Sequence, residues 1–288
     1  VIHSYVEPGA LYRYVPVYFS DYVTELLRGL GVVERPYHMV LSIGEPEDKK
    51  NHNLNIVVQG FEKTRLDCGH VVFAPTHLEG NVELAQQAGL EIDPKCGGVM
   101  VNAELMARTD VYVAGDTASY PDNTLGRRRM QSYDHSFNSG RLAARNMVLG
   151  LRVPYNYLPM ITSSGGPLGL DVVVIGDIDS NMEMYSIAET HQSGGSDHTT
   201  GWDVWDKGVV YYLKDRRIVG AMLLNLADHK DDVIHLLRTG TKYHHKSDQG
   251  IPELETAIDF GLVDPICRHS SAKGIGMLRS NNSGREPK

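Results

Sequence analysis

The chain has 288 residues with 28 basic and 36 acidic side chains, a formal net charge of −8. That length implies two domains, and 22% charged against 41% hydrophobic residues excludes wholesale disorder. The acidic balance argues against an electrostatic nucleic-acid binder, and no apolar run approaches the roughly 18 residues of a membrane helix.

Cys68, Cys96 and Cys267 lie far apart without a C-x-x-C pair, which excludes a disulfide framework or a four-thiolate zinc site. Reduced thiols are expected. The opening Val1–Val6 reads as a strand already under way, as in a processed chain or a fragment. Glu7-Pro8-Gly9 marks a loop. Pro16 suits the first turn of a helix, whose apolar face is Phe19, Tyr22, Val23, Leu26, Leu27 and Leu30. Gly29 and Gly31 close that helix. They do not start a phosphate loop, which would follow a strand and open a helix.

Short strands are expected at 40–43, 55–58 and 70–74. Asn81 fits the N-cap of a short helix running to Ala88, with Gly89 as its stop. Brief strands follow at 90–92 and 99–101. Asp110–Asp116 reads as a buried strand running into Gly115 and a carboxylate, and a long helix is predicted over 129–148. Pro154, Pro159 and Gly165-Gly166-Pro167 mark a boundary. Beyond it lie strands at 172–175, 209–213 and 218–224, an exposed loop at 189–206, and helices near 232–237 and Pro252. The stretch 265–288 has no periodicity and is expected to be a disordered tail.

The chemistry concentrates between Val111 and Gly150. A carboxylate just beyond a buried strand sits where open α/β sheets place ligands, and the next helix can turn its positive end toward an anion. Asp116 therefore either accepts hydrogen bonds from ligand hydroxyls or makes a turn or cap. The sequence alone leaves both open. The run Arg127-Arg128-Arg129 reads as a solvated face. His229, His235, His244 and His245 lack a carboxylate or thiol pattern for a metal. Ser163 and Ser164 lack a G-x-S-x-G elbow. Gly274-Ile275-Gly276 follows no strand, and Asn281-Asn282-Ser283 is a glycosylation sequon in the expected tail.

The segment Val111-Tyr112-Val113-Ala114-Gly115-Asp116 resembles the second flavin-contacting motif of the FAD-dependent pyridine-nucleotide reductases. Val101–Arg108, Leu125–Arg129, Asp134-His135 and Ser139–Met147 narrow the likeness to the apoptosis-inducing-factor branch. So do Asn81–Ala85, Gly89–Asp93 and Lys207–Leu213 with Val219-Gly220 and Asn225. The resemblance implies an α/β FAD/NAD(P)-binding reductase fold, incomplete, followed by a C-terminal α/β domain with an antiparallel sheet. On that map residues 1–78 are the distal half of an NADH-binding domain, 79–150 the second FAD segment and 151–264 the C-terminal domain. Both glycine-rich phosphate loops would precede Val1.

The implied activity is FAD-dependent oxidation of NADH, with hydride passing to flavin and on to an acceptor. The implied FAD contacts are Gly115, Asp116, Ser132 and Tyr133, with Gln131 and Ser132 on the nicotinamide side. The resemblance further implies a homodimer, a mitochondrial import-machinery partner, and residence in the mitochondrial intermembrane space with release to the nucleus. Roles in cell death and mitochondrial maintenance belong to the same implication, and Arg127–Arg129 matches the branch's basic nuclear-import stretch.

Three departures stand near the chemistry. Gln131-Ser132-Tyr133 replaces Glu-His-His, Ile161–Ser164 replaces a segment with an aromatic stacking residue, and Ala74–Asn81 replaces an Ala-Val-Gly-Leu-Glu-Pro-Asn turn. A lost ring removes about 1 kcal/mol of aromatic contact. These departures support an alternative, a catalytically inactive fragment serving as a dimerisation or protein-interaction module.

Overall fold

The computed structural model describes residues 1–44, 54–75, 78–123, 125–192, 203–243, 251–263, 265–271 and 274–279. The chain divides into two units, one of residues 1–74 with 161–288 and one of residues 75–160.

The first unit begins as a crossover. Strand β1 (Ile2–Ser4) leads through helix α1 (Val17–Gly29) to β2 (Val33–Arg35), which lies parallel to β1 with Ile2 opposite Val33. Pro16 caps α1 at φ −57°, where a missing N–H leaves no bond unmade. Phe19, Tyr22 and Val23 are buried as the periodicity predicts, while Leu30 is 54% exposed. Two polar residues join the buried face instead. Ser20 Oγ donates to the Ala10 carbonyl at 2.7 Å, and Thr24 Oγ1 accepts the Ala10 N–H at 2.9 Å. A Cβ on Gly9 would come within 2.6 Å of Ser20 Oγ, so this approach needs glycine.

Next comes an antiparallel meander of β3 (Met39–Gly44), β4 (Leu54–Gln59) and β5 (Lys63–Cys68). The strand expected at 70–74 is absent. Lys63–Cys68 takes its place, because a half-exposed edge needs only alternate apolar positions. Val72 and Phe73 are exposed.

The second unit starts with α2 (Glu83–Gln87), capped by Val82 rather than Asn81. The strands β6 (Val99–Met100), β7 (Met106–Arg108), β8 (Val111–Tyr112), β9 (Ala118–Asp122) and β10 (Gly126–Arg128) are all short. β7 and β8 form a hairpin, and β6 pairs parallel with β9, which pairs antiparallel with β10. The buried strand expected over 110–116 thus shrinks to two residues. Asp110 turns at φ +62°, the Val113 N–H donates to the Leu105 carbonyl, and Gly115–Thr117 is a single 3₁₀ turn.

Helix α3 (Tyr133–Leu149) starts four residues later than expected, since β10 keeps the chain extended to Arg128. Ser132 caps it, its Oγ accepting the His135 N–H at 3.1 Å, and Gly150 ends it at φ +62°. Val101, Leu105, Ala118, Tyr120, Ala143 and Tyr155 form the core of this unit.

The large sheet draws its strands from the part of the chain between Met160 and Arg279. Its strands are β11 (Met160–Ser163), β12 (Val172–Gly176), β13 (Glu183–Gln192), β14 (Asp203–Lys214) and β15 (Arg217–Leu224). After helices α4 (Lys230–Thr239) and α5 (Pro252–Glu255) come β16 (Ile266–Ser271) and β17 (Gly274–Arg279). The order is β11-β12-β15-β14-β13-β16-β17.

Two expectations are corrected in this sheet. The exposed loop at 189–206 narrows, because its flanks extend β13 to Gln192 and start β14 at Asp203; residues 193–202 lie outside the described ones. The disordered tail from 265 is overturned over 266–271 and 274–279. There β16 pairs antiparallel with β13 and β17 with β16, so backbone pairing supplies the order that apolar periodicity does not announce.

Val209, Val210, Tyr211 and Tyr212 are fully buried in consecutive positions, the pattern of a central strand covered on both faces. A Cβ on Gly220 would lie 1.8 Å from the Asp177 carbonyl oxygen, so the strand crosses there only as glycine. Helix α1 packs on β14, with Tyr18 stacked on Trp205 at 5.7 Å and Phe19 edge-on to it at 5.1 Å. The Arg268 guanidinium sits over the Tyr18 ring, 4.9 Å from its centroid.

Candidate functional site

The site lies in the second unit, where the turn Gly115–Asp116 meets the first turns of α3. Gly115 is buried at φ +72°, a conformation that glycine adopts without the steric cost a side chain brings. Its N–H donates to Ser139 Oγ at 2.9 Å, and its carbonyl accepts from His135 Nε2 at 3.2 Å. Both polar ends of Gly115 are therefore engaged inside the unit, and its part is to set the direction of the chain. Asp116 follows it, exposed, with Oδ1 accepting from Ser136 Oγ at 3.1 Å.

His135, Ser136 and Ser139 project from one side of α3, spaced i, i+1 and i+4. Together they clamp the turn so that an acceptor carboxylate stands near the positive end of a 17-residue helix. The turn and cap reading of Asp116 and the ligand reading are thus compatible: its backbone makes the turn while its carboxylate stays accessible.

Gln131 and Ser132 are spoken for in part. The Gln131 carboxamide nitrogen donates to the Leu78 carbonyl, and Ser132 serves as the cap of α3. Tyr133 is 82% exposed and stacks on the exposed Phe137, ring centroids 6.4 Å apart. The geometry brings Gly115 and Asp116 together with the start of α3, and ties Gln131 back toward Leu78.

The basic run has a role that its sequence reading missed. Arg129 donates from Nε to the Cys96 carbonyl, from Nη1 to that of Asp116 and from Nη2 to that of Leu78. Arg127 donates to the carbonyls of Val101 and Ser119. Arginine's forked donors suit such clusters of carbonyls. Nearby, Asp93 is buried and accepts from Ser119 Oγ at 2.6 Å and from the Lys95 and Cys96 amides. Those bonds, the Ser119 one foremost, hold its carboxyl below the usual range.

His135 was also missed as a functional position. It is fully buried, stacks on Tyr120 at 5.0 Å and meets the Tyr155 hydroxyl through Nδ1 at 2.9 Å. Burial pushes its pKa down, and so does Arg128, while the Gly115 carbonyl and the Asp116 charge act the other way. The signal available in sequence was a histidine in the first turn of a helix with a polar face, which is weak.

Among the described residues no group of three or more His, Cys, Asp or Glu converges as metal ligands. His229 pairs with Asp232 at 3.4 Å, and His244, His245 and the sequon at 281–283 lie outside the described residues. None of the three cysteines is in a disulfide. No described helix is long and apolar enough to cross a membrane.

The comparisons assign the chain a class of fold: it has the fold of the FAD/NAD(P)-binding reductases. Within that class it is similar to the apoptosis-inducing factors. It is 32% identical over 257 residues to mitochondrial apoptosis-inducing factor 1 of Dictyostelium discoideum, covering 88% of this chain and 45% of that protein. To the putative mitochondrial apoptosis-inducing factor 1 of Drosophila melanogaster it is 31% identical over 263 residues, 78% of this chain and 34% of that one. The chain thus spans less than half of either relative. A solved NAD-dependent persulfide reductase from A. fulgidus superposes with a TM-score of 0.64 at 18% identity, covering 84% of this chain and 45% of that one, and shares the fold. No family model matches the chain.

Proposed function

We propose that this chain supplies the flavin-side carboxylate, the distal NADH-domain segment and the C-terminal domain of an apoptosis-inducing-factor-type NADH oxidoreductase. The observation that carries this is the Gly115–Asp116 turn, clamped by α3 so that one accessible carboxylate projects beside the helix start. The residues present fit a flavin in chemistry: an acceptor for ribityl hydroxyls at Asp116 and an exposed aromatic pair, Tyr133 and Phe137, for a flat ring. The parallel β1–α1–β2 crossover fits part of a dinucleotide-binding domain, which supports assigning residues 1–78 to the NADH side.

When bound, FAD would supply the hydride-transfer redox chemistry between NADH and an acceptor. The protein's part is to hold and orient. Asp116 fixes the sugar-alcohol arm, and the amino end of α3 favours negative charge beside it. Ser132 keeps that helix end ordered, and Gln131 ties it to the Leu78 backbone. The branch's Glu-His-His side chains and its stacking aromatic are replaced here, so on this reading nicotinamide turnover is weaker than flavin binding. Mitochondrial residence is proposed from the names of the two relatives. Intermembrane-space location, nuclear release, an import-machinery partner, a dimer and a role in cell death rest on the same likeness.

The test is a titration of FAD into the full chain, followed by quenching of flavin fluorescence. Asp116→Ala removes a charged acceptor and is expected to weaken binding about 10- to 100-fold, from about 1.5–3 kcal/mol for such a bond. Unchanged affinity would sink the assignment. A chain that takes up no FAD and oxidises no NADH favours the second reading, an interaction module. That reading draws on the two outer strands of the large sheet, β11 and β17, each with a single neighbour among the described strands.

A further inference from the structure

The buried histidine of α3 carries an inference beyond the cofactor assignment. Its Nε2 lies 3.2 Å from the Gly115 carbonyl oxygen, an atom that only accepts, so Nε2 carries the proton. In the neutral ring Nδ1 is then an acceptor, and its partner at 2.9 Å, the Tyr155 hydroxyl, donates to it. The ring is fully buried, stacked on Tyr120 with planes 20° apart, and Tyr155 packs edge-on at 5.5 Å. Nothing in this packing lets the imidazole rotate without breaking both bonds. A structural filler needs only the stacking. The bond to Gly115 does something else: with the Ser139 bond to the Gly115 N–H, it fixes both ends of the one residue that aims Asp116.

We propose that His135 is the positioning residue of the flavin-side carboxylate. Held in its Nε2–H form by the Gly115 carbonyl, which only accepts, it grips that carbonyl and so keeps Asp116 directed outward from the start of α3. The assignment of Asp116 to flavin rests on the function proposed above; the tautomer lock and the hold on the turn do not.

Two variants of the full chain separate positioning from packing. His135→Ala removes the ring and the donor. His135→Gln loses the ring but returns an amide donor that can reach the Gly115 carbonyl. Nitrogen-15 NMR of the wild-type chain at pH 7 should show His135 neutral with its proton on Nε2, and Tyr155→Phe, which leaves the Gly115 carbonyl in place, should keep it there. In His135→Ala the Gly115 and Asp116 amide resonances should move and FAD affinity should fall about tenfold, the scale of one lost buried hydrogen bond. In His135→Gln the amide resonances and affinity should return to within about threefold of wild type, although the melting temperature stays low because the ring stacking is gone.

Affinity that tracks melting temperature in both variants would reduce His135 to packing and overturn the proposal. So would a proton on Nδ1, or amide resonances that His135→Ala leaves in place. If the wild-type chain binds no FAD, the flavin reading fails by itself. The hold on Asp116 is then still decided by whether the Gln variant restores the two amides.

Discussion

Gly115 shows how much a residue can do by lacking a side chain. Its positive φ and its two engaged backbone groups turn the chain so that the next residue, not Gly115 itself, faces outward. The sequence named Gly115 and Asp116 together, but it had no means of dividing their roles, because hydrogen bonds to a backbone leave no trace in residue type. His135 lies behind both. Burial, the leading cause, and Arg128 lower its pKa below the ordinary 6.5, while the Gly115 carbonyl and Asp116 oppose them.

A base whose pKa falls on folding is more easily protonated in the unfolded chain. Its contribution to stability is therefore complete above pH 6.5 and is lost as pH drops through that value toward the folded pKa. Melting temperature should fall between pH 7 and pH 5, and His135→Gln should flatten part of that slope. An unaltered slope in the variant would mean that the imidazole titrates alike in the folded and unfolded chain. Asp93 acts in a lower window, since its depressed carboxyl stabilises above the ordinary 3.8 and ceases to as pH falls below it.

At the level of elements, helices were legible and short strands were not. The apolar spacing of α1 and the length of α3 follow from periodicity and from Pro16 and Gly150 at their ends. The start of α3 was misplaced because Arg129 and Met130 suit a helix, whereas the pairing of β10 with β9 holds the chain extended. β13 was overlooked because Ser186, Glu189 and Thr190 interrupt its apolar run, yet Ser186 is buried through its bond with the Tyr18 hydroxyl at 2.7 Å. The same tertiary override built β16 from Arg268, His269 and Ser270. The cap of α3 gives a direct test. Ser132→Ala should cost about 1 kcal/mol, read as a lower denaturant midpoint, with the loss confined to stability if Ser132 only caps.

For the molecule as a whole, composition and length set the class, and the resemblance supplied the reductase fold. What neither supplied was the partition, in which residues 1–74 join 161–288 as one unit. That union depends on aromatic contacts far apart in sequence: Tyr18 and Phe19 on Trp205, and the Tyr212 hydroxyl on the Tyr14 carbonyl at 2.7 Å. No local pattern announces such pairs. Trp205 is 2% exposed, so Trp205→Ala should destabilise this unit by about 3–5 kcal/mol in chemical denaturation followed by circular dichroism. A loss below about 1 kcal/mol would show that α1 does not depend on that ring.

The arginine pair of the second unit limits what its basic run can be used for. The guanidinium groups of Arg127 and Arg129 are fastened to the carbonyls of Leu78, Cys96, Val101, Asp116 and Ser119. Any anion or receptor that drew these side chains away would strip those oxygens of their donors. Since the Asp116 backbone is among them, whatever recruits Arg129 must at the same moment unfasten the bend that carries the exposed carboxylate.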